Sequence, residues 1–158
     1  MKYLVNISLI GVLVGYIMWS LNQNQVDPVI NDTRIEAIVE DWKNDMRSIG
    51  INGDEKIRYL DQITIVDQIP EGMLDRITPT QVGKSDRGNR AIWILNREYS
   101  NAYLKALVYH EIGHYMFDLH HEGKGQIMSS HIVEEPGHYE SNWELILPIY
   151  LEKCKQAR

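Results

Sequence analysis

The chain has 158 residues, enough for one domain with a modest core and too few for two. Hydrophobic residues make up 44% and charged residues 24%, which excludes a disordered chain and predicts a folded part. The net charge is −6 and only Lys2, of 16 basic residues, precedes Arg34, so nothing resembles a nucleic-acid-binding stripe.

The first element is apolar. Leu4 to Leu21 is a run of 18 residues without a charge, in which only Asn6, Ser8 and Ser20 are clearly polar. As a helix it would extend roughly 27 Å, enough to cross a hydrocarbon layer. Residues 1–21 are therefore expected to form an N-terminal transmembrane helix with Trp19 as an interfacial anchor. Lys2 places the N-terminus in the cytoplasm and the remainder outside it. The rival reading is a cleaved signal peptide and a secreted product, but residues 16–22 hold no Ala-x-Ala-like pair of small residues. Residues 22–31, polar and containing Pro28, read as a tether.

The folded domain is expected over residues 32–158. Asp32 or Thr33 caps a helix running to about Ser48, with Ile35, Ile38, Val39, Trp42 and Met46 at helical spacing. Gly50 and the Asn52-Gly53 pair end it. Ile63 to Ile69 is rich in β-branched residues and stops at Pro70, which predicts a strand. Residues 71–90, with Gly72, Pro79, Gly83 and Gly88, read as mostly loop with room for one short strand. Ala91 to Leu95 is a second strand, and Ser100 or Asn101 caps a helix through about Phe117. Gly123 and Gly125 mark a loop, and Pro136-Gly137 another. Ser141-x-x-Glu144 has the form of a capping box for a last helix, which Pro148 should kink or split. The order predicts a small α+β domain. The lone cysteine, Cys154, excludes an internal disulfide and a thiolate-built metal site.

The chemistry concentrates in His110-Glu111-Ile112-Gly113-His114. Four residues apart on a helix, the two imidazoles stand one turn apart on one face and can reach one metal ion. Glu111 points to the side, where it can hold a water without ligating the metal. Leu104, Val108, Ile112 and Tyr115 form a core-facing stripe opposite. Zinc in such a site would lower the pKa of its water to about 7, and Glu111 would act as general base. His120 follows ten residues after His110, and Met128 lies in a Gly-Gln-Ile-Met-Ser-Ser loop.

With these residues the sequence resembles the metzincin metallopeptidases, whose pattern is H-E-x-x-H-x-x-G-x-x-H followed by a Met-turn. Ile127-Met128-Ser129 is similar to the Met-turns of matrixin-type members. The resemblance implies a zincin-like α+β domain with a short mixed sheet, an active-site helix and a C-terminal helix. It also implies zinc held by His110, His114 and His120, with Glu111 as the catalytic base and Met128 as an apolar floor beneath the metal. An extended peptide or protein substrate would pair with an edge strand preceding the helix, here Ala91, Ile92, Trp93, Ile94 and Leu95. The chain departs from the pattern at Phe117, where the family has the glycine that turns the chain toward the third ligand. His121 is therefore the close alternative to His120, which is preferred because its spacing fits as it stands. It departs again at Ser130, where a tyrosine is absent. Glu134 and Glu135 offer a gluzincin-like carboxylate as a further alternative, while His131 and His138 read as surface residues.

The expected function is that of a zinc-dependent metalloendopeptidase at a membrane surface. The competing expectation is a zinc-binding interaction module without catalysis, against which Glu111 argues, since a structural site has no use for a base.

Overall fold

The computed structural model describes residues 27–70, 82–130 and 137–157. Asp32 opens helix α1 (Thr33–Ser48) by accepting the Arg34 N–H at 2.9 Å, which satisfies one of the donors a helix start leaves unpaired. The apolar positions of α1, Ile35, Ile38, Val39, Trp42 and Met46, are all buried. Asn52 then starts a short helix, α2 (Gly53–Ile57), by accepting from the Glu55 N–H. The Asn-Gly pair expected to end one helix thus also begins the next.

Four strands follow the chain as β1 (Val29–Ile30), β2 (Gln62–Val66), β3 (Gly83–Asp86) and β4 (Ala91–Leu95). They form one mixed sheet in the order β1-β2-β4-β3, with β1, β2 and β4 parallel and β3 antiparallel to β4. The β3–β4 hairpin turns through Arg90 at φ 51°, with Asp86 accepting from the Asn89 N–H at 2.9 Å. Helix α3 (Asn101–Phe117) is capped by Ser100, which accepts from the Tyr103 N–H. It packs against α1, β3, β4 and the last helix, α4 (His138–Gln156).

Three aromatic side chains tie the helices together. Trp42 on α1 donates its indole N–H to the Tyr150 hydroxyl of α4 at 3.1 Å, and that hydroxyl donates to the Tyr109 carbonyl of α3 at 2.9 Å. The Tyr109 hydroxyl donates to Asp45 of α1 at 2.7 Å, closing the triangle. Each of these buried polar groups has a partner, so the polar seam is compatible with a dry core.

Several expectations need correction. The fold is α+β with a small mixed sheet and four helices among the described residues, and none of them is long and apolar enough to cross a membrane. The transmembrane helix expected over residues 1–21 falls outside the described residues. Val29 and Ile30, assigned to a tether, form β1 beside β2. Helix α3 is buried on nearly every side from Leu104 to Gly113, so it does not divide into one packing face and one site face. Helix α4 begins at His138 behind the left-handed Gly137, three residues before the supposed capping box. It also runs through Pro148 unsplit.

Candidate metal centre

His110 and His114 stand one turn apart on α3, as their spacing requires. The third histidine depends on where the helix stops. Phe117 is buried against Trp42, ring centroids 6.4 Å apart, so it remains in the last turn instead of leaving the helix as a glycine would. The break falls at Asp118, in the left-handed conformation at φ 55°. Arg87 of the β3–β4 turn holds that end, donating to the His114 and Tyr115 carbonyls and pairing with Asp118 at 3.1 Å. The turn thus comes one residue later than a glycine at 117 would set it. His121, not the preferred His120, reaches the other two histidines, while His120 is exposed.

The three imidazoles could hold a metal ion. His114 Nε2 lies 2.9 Å from His110 Nε2 and 3.0 Å from His121 Nε2. The tautomers follow from the second ring nitrogens. His110 Nδ1 is 2.8 Å from the Ile127 carbonyl, and His114 Nδ1 is 2.5 Å from the Leu119 carbonyl. A carbonyl only accepts, so each Nδ1 carries the proton. Burial, assisted by the neighbouring histidines, lowers the His110 pKa to about 3, and burial likewise lowers that of His114. Both rings are therefore neutral with bare lone pairs on Nε2. Two lone pairs facing each other at 2.9 Å repel, and a cation between them removes the repulsion. A tetrahedral ion with metal–nitrogen bonds of about 2.0–2.1 Å needs nitrogens roughly 3.3–3.4 Å apart, a spread of a few tenths of an ångström from this arrangement. The donor set fits a metal.

Around these ligands the loop after α3 closes on itself. The Glu122 N–H donates to the Met128 carbonyl at 2.7 Å and the Ser129 N–H to the Gln126 carbonyl at 3.1 Å, so Ile127 and Met128 sit in a tight, buried turn. Met128 packs against α3 at Gly113, its Sδ 2.8 Å from where a side chain on that glycine would begin. Lys153 of α4 pairs with Glu122, next to His121. His138, read as a surface residue, is half-buried and bonds the Gly125 carbonyl at 3.1 Å. Glu134, Glu135 and His131 lie outside the described residues.

Glu111, next to His110 on α3, is buried on the side of β3. Burial pushes its pKa up to about 7, opposed by hydrogen bonds from Ser85 and by the Lys84 charge. The cluster itself opens outward, from buried His110 through half-buried His114 to exposed His121. An ion there would find three protein ligands among the described residues, with the exposed His121 on its outer side.

The strand assigned to substrate binding is placed differently from the expectation. Ala91, Ile92, Trp93, Ile94 and Leu95 pair with β2 on one side and β3 on the other, so β4 is interior. Its continuous apolar run is what a strand covered on both faces requires. The outermost strand near the site is β3, whose Lys84, Ser85 and Asp86 gave no strand-like alternation. Ser85, Gly83 and Arg87 are the site residues that the sequence did not single out. Comparison with protein-family models, with curated proteins and with solved structures finds no match, so the geometry of the site carries the functional reading.

Proposed function

We propose that this chain is a zinc-dependent peptidase of metzincin-like design, with His110, His114 and His121 as the ligands and Glu111 as the general base. The observation that carries the reading is the convergence of three imidazole Nε2 atoms, two of them from the helix that also carries the buried Glu111. Neutral imidazoles with an open fourth side suit zinc. Bound zinc would polarise a scissile carbonyl and acidify a water. The protein's own part is to aim the nitrogens through the Ile127 and Leu119 carbonyls and to keep a proton acceptor at hand. With its pKa near 7, Glu111 can take a proton from the attacking water and return it to the departing amine at neutral pH. An extended peptide would lie along β3, the outermost strand beside the site. Relative to the metzincin pattern, the third histidine comes one residue later, and Met128, packed against α3 at Gly113, is our candidate for the Met-turn methionine.

Metal analysis of the purified protein should find about one zinc per chain, and Glu111→Gln should keep that zinc while losing peptide hydrolysis. A folded protein that stays metal-free after zinc is supplied would sink the metal reading. Zinc without hydrolysis in the unaltered protein would leave the binding module as the function. Hydrolysis surviving in Glu111→Gln would remove Glu111 from the role of base.

A further inference from the structure

Strand β3 meets α3 at Glu111, and the register of the hairpin explains how. The Leu95 N–H donates to the Val82 carbonyl at 2.9 Å, which makes Val82 and Leu95 a hydrogen-bonded antiparallel pair. The pairs Gly83–Ile94 and Ser85–Ile92 are then of the other kind, with main-chain groups turned away from β4. Their side chains share the face of Ile92 and Ile94, which belong to the main core under α3. Ser85 accordingly presents both its hydroxyl and its main-chain N–H to the Glu111 carboxylate. Two residues earlier the strand has no side chain. A Cβ on Gly83 would stand 2.7 Å from Glu111 Oε1 and 3.1 Å from its Cδ and Cγ, closer than real contacts allow.

We propose that β3 is a positioning strand for this site: Gly83 leaves the space the Glu111 carboxylate occupies, and Ser85 fixes its direction through two donors. The inference rests on the reading of Glu111 as the base. A glutamate side chain has three rotatable bonds, and a base works only when its oxygen is held within hydrogen-bond reach of the proton it takes. Alternation along β3 places the empty position and the Ser85 hydroxyl on the same face, and the register turns the Ser85 N–H to the outer edge, so one short strand supplies the space and both donors.

The test uses the full chain loaded with zinc and compares Ser85→Ala, Ser85→Thr and Gly83→Ala with the unaltered protein on a peptide substrate. Ser85→Ala should lower kcat about ten-fold with KM and zinc content unchanged, since only the aim of the base is lost. Ser85→Thr keeps the hydroxyl and should recover most of that loss. Gly83→Ala should lower kcat by pushing the carboxylate out of place. A Ser85→Ala enzyme within two-fold of the original kcat overturns the proposal, as does a loss that Ser85→Thr fails to relieve. A second readout needs no activity: in nitrogen-15-labelled protein the Ser85 amide resonance should move when Glu111 becomes Gln. An unmoved resonance overturns the cradle. A resonance that moves in a protein without hydrolytic activity keeps the cradle and removes the peptidase reading, so the two failures are distinguishable.

Discussion

Gly113 lies on α3 between the two helical ligands, and replacing it with alanine sets two effects of known size against each other. Alanine is the better helix former by about 1 kcal/mol, so propensity favours the change. Space opposes it. The new Cβ would stand 2.8 Å from Met128 Sδ, 3.1 Å from Tyr150 Cε2 and 3.4 Å from Leu119 Cδ1. The outcome depends on which neighbour can yield. The Tyr150 ring is fully buried and its hydroxyl is bonded to both Trp42 and Tyr109, so it cannot swing away without breaking those bonds. Met128 is as deeply buried, and its carbonyl accepts from Glu122. Overpacking of this kind costs about 1–3 kcal/mol. We therefore expect Gly113→Ala to destabilise the metal-free protein by up to about 2 kcal/mol net, lowering Tm by up to roughly 8 °C. A displaced Met128 also moves the adjacent Ile127 carbonyl, which orients His110, so zinc affinity should fall by about ten-fold. Thermal melting in the presence of chelator and a competitive titration against a chromogenic zinc indicator measure the two effects. An alanine variant that melts at or above the original temperature and binds zinc equally well would refute the packing of Met128 and Tyr150 under the helix.

Three further outcomes are expected. His121→Ala should weaken zinc binding by at least about ten-fold while His120→Ala is mild, because only His121 joins the cluster, and the same titration ranks them. Tyr150→Phe leaves the buried Trp42 N–H without its partner and should cost about 1–3 kcal/mol, seen as a lower urea midpoint at unchanged m-value. Asp32→Ala removes the cap of α1 and should cost about 1 kcal/mol at pH 7. Because the Arg34 hydrogen bond holds the Asp32 carboxyl below its usual pKa, that stabilisation is present above the unfolded value of about 3.9 and fades as pH falls through the folded value. Melting curves of the two proteins should accordingly converge below about pH 4.

What could be read from the sequence was local. Helix α1 starts at the cap and ends at the turn its residues announced, and α3 does the same between Ser100 and Phe117, because capping and 3.6-residue spacing act within a few residues. The one-turn pairing of His110 and His114 follows from helical geometry alone, and the apolar run Ala91–Leu95 is a strand for the same kind of reason. Helix α4 was misplaced at its start because Gly137, whose left-handed conformation opens it, carries no side-chain signal of a cap.

The rest was decided by packing between distant segments. The choice of His121 over His120 turns on whether Phe117 stays in the helix, and that is settled by Trp42, 75 positions away in the chain. Whether Ala91–Leu95 is an edge depends on where a four-residue strand with polar side chains pairs, which no spacing encodes. The surroundings of Glu111 depend on that same pairing, since Gly83 and Ser85 reach it only once β3 is laid against α3. Sequence alone thus determined the helical pairing of two of the three histidines in the cluster. The tertiary structure decided the third histidine of the cluster, the outer strand and the walls around the carboxylate, because these rest on contacts between segments whose separation along the chain leaves no periodic trace.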